Sequence, residues 1–103
     1  MSVAYYAEVP NVTPAQAQQV SDEVNRRLGA PNTPPEGGRF HADGPTNDGG
    51  WWQFDLWESE EHFTRFYDAI LMPAVTQAGL EPFSFRQLEV HWDSTQVPQG
   101  GAA

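Results

Sequence analysis

Nine consecutive residues constrain this chain more than any others: Trp51-Trp52-Gln53-Phe54-Asp55-Leu56-Trp57-Glu58-Ser59. Strand side chains point alternately to opposite faces, so this run gives one strand two unlike surfaces. Even positions offer Trp52, Phe54 and Leu56, and odd positions offer Trp51, Gln53, Asp55 and Trp57. A carboxylate and an amide between two indoles make neither a plain core face nor an ordinary wetted one. The odd surface is therefore expected to be covered by a second subunit or a ligand, and the even surface to pack against helices.

The residues around this strand build a complete small domain. Val3 to Val9 is a β-prone run closed by Pro10, and Thr13-Pro14 with Gln16 offers an N-cap, a first-turn proline and a capping box. Ala17, Val20, Val24 and Leu28 then recur at helical spacing, and Gly29 ends the helix. Gly38 to Gly44 reads as a second strand, joined to the Trp51 strand through Pro45-Thr46-Asn47-Asp48-Gly49-Gly50, which is dense in turn formers. Pairing Gly44 with Gly50 sets His41 opposite Gln53 and Arg39 opposite Asp55, and a slip of two residues fits as well. Ser59 caps a second helix whose first turn holds Glu60 and Glu61, where the helix dipole favours negative charge. Its apolar stripe runs to Gly79, with a kink expected near Ala69 to Met72 because Pro73 interrupts it. Phe83 to Trp92 reads as the fourth strand, and residues 95–103 as a flexible tail behind a single domain of residues 1–94.

The order β-α-β-β-α-β predicts an α+β, ferredoxin-like fold: a four-stranded antiparallel sheet, order 4-1-3-2, with two helices on one face. Trp52, Phe54, Leu56, Phe40, Leu88, Val90 and Trp92 are expected to face the helices. Tyr6, Glu8, Arg39, His41, Gln53, Asp55, Trp57, Glu89 and His91 are expected on the other face, where two subunits would meet.

Composition narrows the chemistry. At 103 residues with 39% hydrophobic and 13% aromatic content, one domain can bury a real core. A net charge of −9 disfavours nucleic acid and anionic membranes as partners. The absence of cysteine removes thiolate chemistry, and all five basic residues are arginines, so no lysine can form a Schiff base. No apolar run reaches the length of a membrane span and no signal pattern opens the chain, so a cytoplasmic location is expected.

On these residues the chain resembles a known group. Gly38-Arg39-Phe40-His41-Ala42-Asp43-Gly44-Pro45-Thr46, then Asp48-Gly49-Gly50-Trp51, then Asp55-Leu56-Trp57-Glu58-Ser59-Glu60-Glu61 is similar to small dimeric α/β-barrel proteins. These are relatives of the antibiotic-biosynthesis monooxygenases and of certain polyketide cyclases. The resemblance spans residues 3 to 92, and its most specific part is Trp57-x-Ser59-x-Glu61. It implies a homodimer with a pocket in each subunit. Cofactor-free monooxygenases of the group use a tryptophan on the third strand, matched by Trp57, and an asparagine earlier on the same face, where Gln53 stands here. They often carry histidine in the second helix; His62 lies in its first turn and Phe66 takes the next expected polar place.

The candidate acid/base is His41, with Asp55 to orient it, Gln53 as an oxyanion donor and His91 as a second choice. Trp57, Tyr6 and Trp51 are the candidate ligand contacts. A plainer reading makes Asp55 a cross-strand partner of Arg39 and the histidines interfacial. His41 and His91 fall on opposite edge strands, about 14 Å apart over three strand spacings, so no metal site is expected within one subunit. The expected function is a small enzyme needing no bound cofactor, acting by oxygenation or base-assisted cyclisation on a flat conjugated or polyketide-like molecule. The alternatives are a non-catalytic dimeric binding or interaction module, and a haem-binding relative with His41 or His91 on the iron.

Overall fold

The computed structural model describes residues 2–29 and 33–96. Four strands and two helical stretches alternate as expected: β1 (Val3–Val9), α1 (Pro14–Leu28), β2 (Gly38–Pro45), β3 (Trp51–Trp57), α2 (Glu60–Phe66), α3 (Met72–Gln77) and β4 (Arg86–Glu89). All pairings are antiparallel and the sheet order is β2-β3-β1-β4. This is the ferredoxin-like α+β arrangement that the element order predicts. No helix among the described residues is long and apolar enough to cross a membrane.

The helix signals work as read. Thr13 Oγ1 accepts from the Gln16 amide at 3.1 Å while the Gln16 side chain accepts from the Thr13 amide at 3.0 Å, completing the capping box. Gly29 closes α1 in the left-handed conformation. Ser59 Oγ accepts the His62 amide at 3.2 Å at the start of α2. Between α2 and α3, residues Tyr67–Leu71 form a π-turn in which the Met72 amide donates to the Tyr67 carbonyl. Pro73 has no amide hydrogen to continue the α ladder, so the helix widens just ahead of it. The register change turns Leu71, Ala74 and Val75 inward, where all three are buried.

Four sequence expectations need correction. First, the hairpin takes the slipped register: Gly44 pairs with Trp52 and His41 with Asp55, leaving a turn closed by Thr46 and Gly50. Gly50 sits so close to β1 that a Cβ there would lie 2.4 Å from the Val9 carbonyl oxygen. Second, β4 covers Arg86–Glu89, not Phe83 to Trp92. Phe85 packs on Tyr67 and Phe63 and Phe83 packs on Phe85 instead of pairing, and the Tyr67 hydroxyl donates to the Phe83 carbonyl. Third, Ser94–Gln96 form one 3₁₀ turn that reaches into the expected tail of residues 95–103, while 97–103 lie outside the described residues.

The fourth correction is the largest, for the two faces of the sheet are interchanged. Trp57 is 2% exposed and packs its ring 5.1 Å from Phe66 and 6.0 Å from Phe63. Tyr5, on the neighbouring strand β1 and on the same face, stacks on Phe63 with centroids 3.7 Å apart. Gln53, Asp55, Trp57 and His41 therefore lie beneath the helices. Trp52, Phe54, Leu56, Phe40 and Leu88 project the other way, together with Tyr6 and Glu8, whose outward position was anticipated. Alternation alone does not choose between the faces, because both carry large apolar rings and the one with fewer polar atoms reads as the packed one. In the molecule, the polar atoms of the odd face are inside because they bond to one another.

Candidate functional site

The site arises from a mismatch between helix and sheet. The apolar stripe of α1 is narrow, and no residue of that helix is fully buried. It packs beside the π-turn and α3 and stands off the sheet. Small aliphatic groups cannot span the gap to the sheet, so a cavity of about 490 Å³ remains between them. That volume is in the range that encloses a small organic ligand. Trp51, Gln53, Asp55 and Trp57 form its floor, Val20, Val24 and Leu28 of α1 cover it, and Leu71, Phe66 and Phe83 close one side. The loop before β2 supplies Pro34 and Pro35. This loop is held against α2: the Glu58 amide donates to the Gly37 carbonyl at 2.7 Å, and the His62 ring lies over Gly37. A Cβ at Gly37 would fall 2.3 Å from the His62 ring, and its φ of +80° also favours glycine.

At the β2 edge of this floor His41 lies between two carboxylates. Its Nδ1 bonds Asp55 Oδ1 at 2.6 Å and its Nε2 bonds Asp43 Oδ2. Asp55 is 2% exposed. Its oxygens also receive the Gln53 amide at 3.2 Å and the Trp57 indole N–H at 3.4 Å. Asp43 stands nearer the rim and accepts the Trp51 indole N–H at 3.0 Å. Burial works to lower the His41 pKa, but the hydrogen bonds and charges of Asp43 and Asp55 outweigh it and raise the value to about 9. The bond from His41 is also the main reason the Asp43 carboxyl lies below its ordinary range, against partial burial. At neutral pH the ring is thus an imidazolium with both N–H groups engaged. Because its pKa is higher folded than unfolded, this charge stabilises the protein fully below about pH 6.5, and the contribution fades as pH rises through about 9.

Of the residues singled out from sequence, the fold brings together His41, Asp55, Gln53, Trp57 and Trp51 around one cavity. It separates the other two. Tyr6 lies on the opposite face, its hydroxyl donating to Glu8 at 2.9 Å. His91 is exposed beyond the end of β4 and does not line the cavity. The expected Arg39–Asp55 pair is absent, since the slipped register gives Asp55 to His41. Haem ligation finds no support in the donor set: both nitrogens of His41 are taken by carboxylates. No group of three His, Cys, Asp or Glu among the described residues is placed to hold a metal ion.

Asp43 and the α1 lining were not singled out from sequence. A signal for Asp43 existed, because strand alternation puts it on the same face as His41 and Trp51. The cavity roof had none, since a stripe of valines and leucine reads the same over a void as over a packed sheet.

No family model matches the chain, and no curated protein matches it at a significant level. Solved structures do resemble it. Rv0793 from Mycobacterium tuberculosis superposes with a TM-score of 0.64 at 14% identity, over 91% of this chain and 99% of that one. SnoaB from Streptomyces nogalater, described as a cofactor-independent oxygenase, gives 0.64 at 13% identity over 90% and 96%. The protein YJCS gives 0.58 at 14% over 88% and 100%. The chain shares the α+β, ferredoxin-like fold of these three proteins.

Proposed function

We propose that this chain is a cofactor-independent enzyme, working as a homodimer, that acts on a small flat phenol or enol held between α1 and the sheet. The observation that carries this reading is the Asp43–His41–Asp55 set at the edge of an indole-floored cavity. A flat ligand lying on Trp51 brings its hydroxyl to the rim, where Asp43 is the more exposed of the two carboxylates. The ligand oxygen replaces Asp43 on His41 Nε2, while the buried Asp55 keeps Nδ1 and fixes the ring. At neutral pH His41 already carries its proton, so it acts as a donor: its Nε2–H bonds the ligand oxygen and its positive charge favours the phenolate over the phenol. The released proton leaves through Asp43 to water. The conjugated anion left behind, stabilised by the His41 N–H and the Gln53 amide, is the species that reacts with dioxygen or closes a ring. The oxygenase description of SnoaB favours the first of these outcomes.

The dimer part of the proposal rests on the outward face. Phe40 is 53% exposed, Leu88 36% and Trp92, past the end of β4, 52%. Phe40 packs edge-on to Phe54, 6.2 Å between ring centroids, while Leu56 and Ala4, between Phe40 and Leu88 in the sheet, are buried. Large apolar side chains left exposed on a lone protomer mark an interaction surface.

The test uses a tricyclic quinol, with dioxygen uptake and the product spectrum followed together. Wild type is expected to consume both, and His41→Ala to slow turnover by about 10²- to 10⁴-fold in protein that is still folded at the assay temperature, though with a lowered melting temperature because Asp55 loses its partner. Binding of the quinol with no conversion by the wild type would make the chain a binding module instead.

A further inference from the structure

We propose that Arg39 is an anion anchor in the cavity wall and that the ligand of this cavity carries a carboxylate. The inference rests on the cavity being the functional site, and it names the charge its ligand must bear. Three observations converge on Arg39. The β2–β3 register shifts between Gly38 and Phe40, so Arg39 is the extra residue of a β-bulge. Bulges re-aim a side chain out of the regular ladder and are frequent beside functional sites. Arg39 lines the same cavity as His41 and Asp55. Its Nε is buried without a hydrogen-bond partner.

The remaining charged groups make this orphan donor conspicuous. Arg26 and Arg27 both bond Glu23, Arg65 reaches Glu36, and Arg86 is exposed on β4, where water serves its donors. Arg39 forms no hydrogen bond or ion pair with a described residue. Asp93 feels the charge of Arg39, but its carboxylate is engaged by the Thr95 amide at 2.9 Å, the Thr95 hydroxyl and the Ser2 side chain. Asp43 and Asp55, the two carboxylates of the cavity lining, are satisfied by His41, Gln53, Trp51 and Trp57. A buried N–H without an acceptor carries a standing penalty that an incoming oxygen removes.

A planar guanidinium pairs best with a planar carboxylate, two N–H groups to two oxygens. A single negative charge fits better than a phosphate dianion, because Asp43 and Asp55 line the same space and would repel the second charge. The ligand is therefore a flat aromatic acid, its carboxylate on Arg39 and its ring over Trp51.

The experiment compares 2-naphthoate with its neutral counterpart 2-naphthamide by titration calorimetry. Wild type is expected to bind the acid about 10- to 100-fold more tightly, the range of a charge-assisted pair in a partly buried setting. Arg39→Gln should bring the two affinities together while leaving that for the amide within about twofold, as expected for a contact confined to the anchor. Arg39→Lys, which keeps the charge without the planar fork, should retain part of the preference, and it serves if the glutamine variant does not fold. Equal binding of both probes by wild type, or a preference that survives in Arg39→Gln, overturns the anchor and leaves the cavity reading intact. Failure of both probes to bind overturns the cavity reading as well.

Discussion

Trp57→Ala is expected to destabilise the fold by about 3–5 kcal/mol, the usual cost of deleting a fully buried large aromatic. The indole is 2% exposed and touches the rings of Phe63 and Phe66, which belong with Tyr5 and Phe85 to the aromatic core beneath α2. Its removal opens a void that these rings cannot fill. It also deletes the N–H that reaches the Asp55 carboxylate at 3.4 Å. For a 103-residue domain such a loss approaches half of a typical folding free energy. Trp57→Phe separates the two contributions, because it keeps most of the ring packing and removes only the hydrogen bond. Its cost should stay near 1–2 kcal/mol. Urea denaturation of the three proteins measures both. Near-equal midpoints for wild type and the alanine variant would show that Trp57 lies on an exposed face, as the sequence parity first implied.

Phe40→Asp addresses the outward face. In a twofold-symmetric dimer each substitution appears twice, so a loss of about 2 kcal/mol per central aromatic becomes about 4 kcal/mol for the interface. That corresponds to a dissociation constant raised about a thousandfold. Sedimentation across a concentration series should show the wild type as a dimer and Phe40→Asp as a folded monomer. Because Phe40 is 53% exposed in the single chain, the variant keeps its fold. A wild type that sediments as a monomer at every concentration would remove the dimer from this account.

Much of this architecture was legible in the sequence, and the reason is local. Thr13-Pro14-x-Gln16, Gly29 and Ser59 act within one turn of chain, so their meaning does not depend on tertiary context. The kink before Pro73 was equally local, although its form as a π-turn was not foreseen. What the sequence left ambiguous depends on long-range choices. A hairpin register can slip by two without changing which face any residue takes, and only the closure of Thr46 on Gly50 selects the observed one. The facing of the sheet was harder still, because Trp52, Phe54 and Leu56 make as good a core stripe as any. The aromatic ladder from Tyr5 and Trp57 to Phe63 decides it, and those contacts join β1, β3 and α2. The odd residues of β3 stay together with His41 in spite of the inversion, now as a cavity floor, while Tyr6 and His91 lie apart from them.

The proposed function requires His41 to be held between two carboxylates inside a cavity that a ligand enters. A pH titration of the His41 ring by NMR tests this directly, alone and with 2-naphthoate present. The prediction is a midpoint near 9 in the free protein, far above the ordinary value of 6.5, and a displaced midpoint once the cavity is filled. A ring that titrates near 6.5 and ignores the ligand would contradict it.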